Sequence, residues 1–139
     1  GIIITSRHHL MTTTHHRTYV KFTPNSKYLL ASYLDSTLRL WCYERAQCLR
    51  EFTGHTAAKY SAAAAFVCSG ATGNCVVCGS EDGRVCVWDV DSAAQRACWD
   101  AHTAPVLGVD SHPTQPIVAT GAMAPDSTVK LWSWKAAAQ

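Results

Sequence analysis

CVVCGSEDGRVCVWDV, residues 75–90, reads as two short apolar strands joined by a tight turn that carries an aspartate, the second strand ending on tryptophan and aspartate. The phrase occurs twice more, as YLLASYLDSTLRLWCY at 28–43 and PIVATGAMAPDSTVKLWSW at 116–134. Trp41, Trp88 and Trp132 stand 47 and 44 residues apart, and Asp35, Asp82 and Asp126 each precede their tryptophan by six. Gly54-His55 and Ala101-His102 keep the same beat, 47 residues apart. A period near 45 that fits four strands predicts an all-β chain built from repeated sheets.

The bulk numbers narrow the class. The chain has 139 residues, 47% apolar and 16% charged, ordinary for one soluble globular domain. Its formal charge of +2 comes from 12 basic and 10 acidic residues scattered singly or in pairs, so no basic tail marks it for direct nucleic-acid or membrane binding. The longest apolar run, 62–68, falls far short of the roughly 20 residues a membrane helix needs.

Cysteine use needs a separate argument, because there are seven. Cys75 and Cys78 have the spacing of a metal or redox pair, but side chains three apart on a strand point to opposite faces. No second pair completes a four-ligand set, so no metal is expected and the cysteines read as small buried hydrophobes in a reducing compartment. His8-His9 and His15-His16 lack companion ligands and also carry no metal expectation. Residues 1–17 lack the pattern of a signal peptide and read as an unmatched, poorly ordered end or a stray strand.

Strands are expected at 18–22, 27–33, 37–42 and 47–53 in the first repeat. The second repeat predicts 59–67, 74–79, 84–89 and 95–100, with a loose turn at 69–73. The third predicts 105–111, 116–122 and 127–133. The repeat boundaries are then 18–54, 55–101 and 102–135, with a tail at 136–139. His55, Ser80 and Asp82 are the three residue types of a hydrolase triad, but they fall in repeat order and no G-x-S-x-G elbow is present. No phosphate loop or paired carboxylates appear either, so the chain is read as no enzyme, with no catalytic residue and no cofactor.

With Gly54-His55 before the second repeat, Ala101-His102 before the third and a tryptophan in the last-quoted strand of each, the sequence resembles the WD-repeat β-propellers, most specifically through His55, Ser80, Asp82 and Trp88. The resemblance implies a structural network in which the histidine bonds the turn aspartate while the hydroxyl and indole extend it. Its members would be His55, Ser80, Asp82 and Trp88 in the second repeat, Asp35 and Trp41 in the first, and His102, Asp126 and Trp132 in the third. Three repeats are too few to close a ring of four to eight blades. The expectation is therefore the C-terminal part of a propeller of about seven blades, which needs the remaining blades, or other copies, to close.

Within that family, VKFTPNSKYLLASYLDSTLRLW, CLREFTGHTAAKY and GSEDGRVCVWDV resemble the WD-repeat scaffold subunits of histone lysine methyltransferase complexes. This implies a non-enzymatic protein–protein interaction scaffold, nuclear by resemblance and otherwise cytoplasmic, with protein or peptide partners. At one end of the channel Tyr60 and Ser61 would contact an arginine of a partner peptide, although Ala63 stands where the pattern has a stacking phenylalanine. At the other end Asn25, Tyr28, Leu40, Arg50 and Phe66 would line a cleft for an acidic and apolar segment, with Cys68 and Asp91 departing from the pattern. Packing roles for Tyr60, Leu40 and Phe66 stay open. So do a scaffold of a ubiquitin ligase, RNA-processing or ciliary complex, and a truncated, non-functional propeller fragment.

Overall fold

The computed structural model describes residues 17–69 and 73–134. They form three antiparallel sheets, each a meander in sequence order. The first holds β1 (Arg17–Phe22), β2 (Leu29–Tyr33), β3 (Thr37–Cys42) and β4 (Gln47–Phe52). The second holds β5 (Ala64–Ser69), β6 (Gly73–Gly79), β7 (Arg84–Asp89) and β8 (Gln95–Asp100). The third holds β9 (Val106–Ser111), β10 (Ile117–Ala122) and β11 (Val129–Ser133). No helix occurs among the described residues, and the three sheets are successive blades of a partial β-propeller. The readings of residues 1–16 and of the 136–139 tail lie outside the described residues.

Apolar burial between blades accounts for the sequence texture. Leu30, Leu38, Leu40 and Phe52 of the first sheet pack against Ala64, Val76, Cys78, Cys86 and Trp88 of the second. The opposite face of the second sheet packs Ala65, Val67, Cys75, Val77, Val85 and Val87 against Val106, Val109 and Val118 of the third. A strand buried on both faces cannot alternate polar with apolar residues, so VCV and CVVC are continuous runs. Cys75 and Cys78 enter the two different cores. Burial pushes the Cys78 thiol up to about 12, which keeps it protonated. Cys86 and Cys98, directly opposed on β7 and β8, are joined by a disulfide, which corrects the reading of all seven cysteines as thiols.

The turn aspartates explain the sequence beat. Asp35, Asp82 and Asp126 each accept, through Oδ1, the backbone N–H two residues on, from Thr37, Arg84 and Thr128, at 3.1 Å in every case. The residue between takes positive φ: Ser36 at 63°, Gly83 at 85° and Ser127 at 52°. This side-chain turn fixes the hairpin while the backbone passes through the left-handed region.

One strand boundary moves. Residues 59–63, expected to open the fifth strand, are not strand, because their backbone donors have other acceptors. The N–H groups of Ala58, Lys59 and Tyr60 all point at Glu81 Oε1 at 2.6–2.8 Å, and Ala63 N–H donates to the Leu107 carbonyl at 2.9 Å.

The third blade ends on a bare face. Val129 and Leu131 are 77% and 73% exposed, whereas Leu38 and Leu40, at the same places in the first blade, are 0% and 4% exposed.

Blade spacing depends on Gly79, where an added Cβ would lie 2.2 Å from the Val106 carbonyl oxygen, a backbone atom that cannot swing away. Gly79→Ala is expected to push β9 off β6 and to cost about 1–3 kcal/mol in urea denaturation, as overpacking does. Unchanged stability would show that the two blades slide freely.

Candidate functional site

Five residues singled out by resemblance meet in one place. Asn25, Tyr28, Leu40, Arg50 and Phe66 line a cavity of about 500 Å³ between the first and second blades, together with Asn74, Val90 and Asp91. Three different hairpin pieces deliver them. The β1–β2 turn brings Asn25 and Tyr28, β3 and β4 bring Leu40 and Arg50, and β5 brings Phe66, with Val90 and Asp91 arriving from the β7–β8 turn.

The β1–β2 turn is tightly tied. Thr23 Oγ1 donates to Asn25 Oδ1 at 2.6 Å and accepts Tyr28 N–H at 3.1 Å, while Asn25 Oδ1 also accepts Lys27 N–H at 3.0 Å. Tyr43 OH donates to the Ser26 carbonyl at 2.8 Å, which braces the turn against the next hairpin. Asn25 and Tyr28 are therefore presented by a closed network, not by a free loop.

Arg50 supplies the charge. Its Nε donates to the Asp91 carbonyl at 2.7 Å and its Nη1 to the Leu49 carbonyl at 2.7 Å. Both acceptors are neutral carbonyls, and the Arg50 guanidinium shares the cavity lining with Asp91. Leu40 serves two roles at once: it is 4% exposed in the inter-blade core and it forms the cleft floor. Phe66 is half-buried, packed on the same core, and its carbonyl accepts the Ser111 hydroxyl at 2.6 Å.

Tyr60 and Ser61 sit at the other end of the blades, in the segment that joins β4 to β5. Tyr60 is 38% exposed and takes no part in the inter-blade cores. Glu81 on the β6–β7 turn holds this loop, a role that no sequence motif marks. Burial raises that carboxyl's pKa, but the N–H groups of Tyr60, Lys59 and Ala58 outweigh it and hold the group below its usual value. Three consecutive amides aimed at one oxygen form an anion nest filled by the protein's own side chain.

The histidine network differs between blades. In the third, Trp132 Nε1 donates to Thr120 Oγ1 at 2.8 Å, Thr120 Oγ1 lies 2.8 Å from His102 Nε2, and His102 Nδ1 lies 3.1 Å from Asp126 Oδ1. A ring protonated on Nδ1 completes a chain of donors from indole to carboxylate. Asp126 also accepts Thr128 Oγ1 and Thr103 N–H, and these bonds hold it well below the usual carboxylate range. Thr120 was hidden in the sequence because the longer β10–β11 turn puts it six residues before the aspartate, whereas Ser80 is two before Asp82.

In the second blade the expected bond from His55 to Asp82 is not formed. His55 is 4% exposed, and neither ring nitrogen has a hydrogen-bond partner. Its imidazole stands edge-on to Trp88 with ring centroids 5.4 Å apart. Trp88 Nε1 donates to the Thr53 carbonyl at 2.8 Å, and Ser80 Oγ accepts Thr56 N–H at 2.8 Å. Asp82 spends its oxygens on Arg84 and the Ser80 hydroxyl, which outweigh burial and lower its pKa. In the first blade Asp35 accepts Arg39 Nη2 at 3.2 Å, and Trp41 Nε1 is buried without a partner. No cluster of three or more metal-ligating side chains occurs among the described residues.

The two histidines should respond oppositely to removal. His55→Phe keeps the edge contact and removes two unsatisfied nitrogens, so it is expected to be neutral or stabilising. His102→Phe strands Thr120 and Asp126 and is expected to cost on the order of 2 kcal/mol. Burial lowers the His55 pKa, partly opposed by Asp35 and Asp82, so the folded state favours the neutral ring. That stability is present above the unfolded pKa near 6.5 and is lost as pH falls below it. Thermal melts between pH 5 and 8 should show this slope in the parent chain and less of it in His55→Phe.

The model of the WD domain, G-beta repeat family matches residues 7–42, 46–89 and 94–133. The chain is similar to GID complex subunit 7 of Schizosaccharomyces pombe, 29% identical over 118 residues, which are 85% of this chain and 23% of that protein. It is also similar to human WD repeat domain-containing protein 83, 32% identical over 111 residues, covering 80% of this chain and 33% of that one. The chain thus spans about a quarter to a third of the length of these curated relatives. Among solved structures, a chain in the crystal structure of a mitotic checkpoint complex shares its fold with TM-score 0.75 at 20% identity, over 89% of this chain and 37% of that chain.

Proposed function

This chain belongs to the WD domain, G-beta repeat family, and from that premise we propose that it is a non-enzymatic protein–protein interaction scaffold whose cleft between the first two blades docks an acidic and apolar segment of a partner. The observation that carries the reading is the convergence of Asn25, Tyr28, Leu40, Arg50 and Phe66 on one cavity of about 500 Å³. A cavity of that size lies within the range of sites that enclose small ligands or short segments, roughly 300–1,000 Å³.

Its chemistry selects the partner. Leu40, Phe66 and Val90 offer apolar contact, and the Arg50 guanidinium, held by two carbonyls, is free to accept a carboxylate. Asp91 on the same rim confines that carboxylate to the Arg50 side. The relative named as a complex subunit supports a scaffold role.

A finer reading, a scaffold of the histone methyltransferase type, adds nuclear placement and recognition of an arginine by Tyr60 and Ser61. Tyr60's exposure at the opposite end of the blades supports it. Ala63 offers no ring to stack on a guanidinium, which weakens any such grip by about 0.5–2 kcal/mol. An arginine-bearing peptide array separates this reading from a scaffold of another complex: only the former expects binding that disappears when arginine becomes alanine.

For the cleft itself, fluorescence polarisation with a labelled peptide alternating Asp or Glu with Val or Leu is the direct measurement. Tyr28→Ala and Arg50→Glu are each expected to weaken binding tenfold or more, about 1.4 kcal/mol. Unchanged affinity in both would overturn the assignment.

A further inference from the structure

Three cysteines stand in one row across the second blade. Register pairs Cys78 on β6 with Cys86 on β7, and Cys86 with Cys98 on β8. Directly opposed residues of antiparallel strands project to the same face, so all three side chains lie on the face toward the first blade. Cys78 and Cys86 are buried in the core there, and Cys98, half-buried, packs against it. The disulfide uses two of the three, and Cys78 remains a thiol.

Either neighbour of Cys86 can be its partner. Cys86 and Cys98 have Cα atoms 4.1 Å apart, which marks them as the close, non-hydrogen-bonded kind of pair. A central strand turns its backbone groups to its two neighbours alternately, so Cys78–Cys86 is the hydrogen-bonded kind, with Cα atoms about 5.5 Å apart. That separation lies inside the span of roughly 4.4–6.8 Å that disulfides bridge. The strand order β6-β7-β8 also puts Cys86 in the middle, with Cys78 on the side away from Cys98. Attacking, central and leaving sulfur thus follow one another along the row, as thiol–disulfide exchange requires.

Burial restrains the reaction. Desolvation pushes the Cys78 thiol up to about 12, so its nucleophilic thiolate is scarce at neutral pH. Cys78 shares its core with Leu30, Phe52, Ala64 and Val76. The phenol of Tyr19 on β1 is a titratable group whose charge bears on it, and burial, Asp110 and Cys78 together raise that phenol above its ordinary value. Tyr19 therefore stays neutral as pH is raised toward 10.

We infer that this disulfide has two positions: Cys78 Sγ attacks Cys86 Sγ in line, moving the bridge from Cys86–Cys98 to Cys78–Cys86 and releasing Cys98 as a thiol. Cys78 gives its proton to water, the new sulfur–sulfur bond forms as the old one breaks, and the electron pair leaves on Cys98 Sγ, which takes up a proton. One disulfide is present before and after, so no oxidant or reductant enters. The bridge that clamps outer strand β8 to β7 then joins β6 to β7 instead. β8, whose Ala97 and Trp99 line a cleft of about 450 Å³ between the second and third blades, loses its covalent tie. The inference is independent of the acidic-segment cleft.

Trypsin reads the position of the bridge, because Arg84 and Arg96 separate the three cysteines. The bridge joins peptides 85–96 and 97–130 before exchange, and 60–84 and 85–96 after it. The 139-residue chain is incubated between about pH 7 and pH 10, its thiols are blocked with N-ethylmaleimide in denaturant, and the linked peptides are identified by mass spectrometry. The second linkage is expected to grow at a rate independent of protein concentration and about tenfold faster per pH unit across the whole range, since thiolate limits it. Blocked Cys98 should appear in step. Exchange through unfolded chains would instead level off above the ordinary thiol value near 8.5, and that profile would overturn the inference. So would an unmoved bridge at pH 10. Cys78→Ala, apolar in an apolar core, is expected to keep the bridge at Cys86–Cys98 throughout, and migration to 60–84 in that variant would count equally against it.

Discussion

A sheet covered on both faces must satisfy two cores with one strand alternation, and the second blade lives under that constraint. Ala64, Val76, Cys78 and Trp88 face the first blade while Ala65, Val67, Cys75, Val77 and Val87 face the third. The flanking blades are positioned by what this blade presents. Small residues on β5 let the inner strands come close enough for Ala63 to bond Leu107 across the junction. Gly79 does the same for β6 and β9. The cleft between the first two blades borders this packing, since Leu40 and Phe66 belong to both.

The repeat explains why the clefts exist, and departures from it explain their chemistry. Positions that fix turns are nearly invariant from blade to blade, as the three identical aspartate bonds show. Exposed positions at the cleft walls, such as 50 and 97, are not under that constraint, because their side chains lie outside the inter-blade cores. Arg50 and Ala97 are equivalent by register yet opposite in character. A propeller can in this way acquire different side-chain chemistry at successive junctions without altering its backbone.

Much of the fold was legible because its signals are local. The tryptophan and aspartate spacing marks hairpins, and ten of the eleven strands lie within two residues of the expected positions. The exception is instructive: 59–63 leads into a strand, but Glu81, distant in sequence, takes the amides of Lys59 and Tyr60, and the Leu107 carbonyl takes that of Ala63. The cleft residues were legible only through resemblance, since nothing local in Tyr28 or Arg50 distinguishes a binding residue from a surface one. The histidine network was half legible. His102 and His55 look alike in sequence, and the difference lies in the hydrogen-bond partners within reach: Thr120 and Asp126 for one, none for the other. The Cys86–Cys98 pairing likewise depends on cross-strand register, which a cysteine count does not contain.

The exposed Val129 and Leu131 on β11 give the chain a polarity that its repeats alone would not. The third blade shows to solvent the face that the first blade buries beneath its successor. Unlike a globule, whose core is closed on itself, a stack of this kind is extensible in the manner of a polymer. Each blade is at once lid for the one before and template for the one after. Stability then accrues junction by junction, and the covered second blade is expected to be the last to lose its hydrogen-exchange protection, with the bare-faced third blade opening ahead of it.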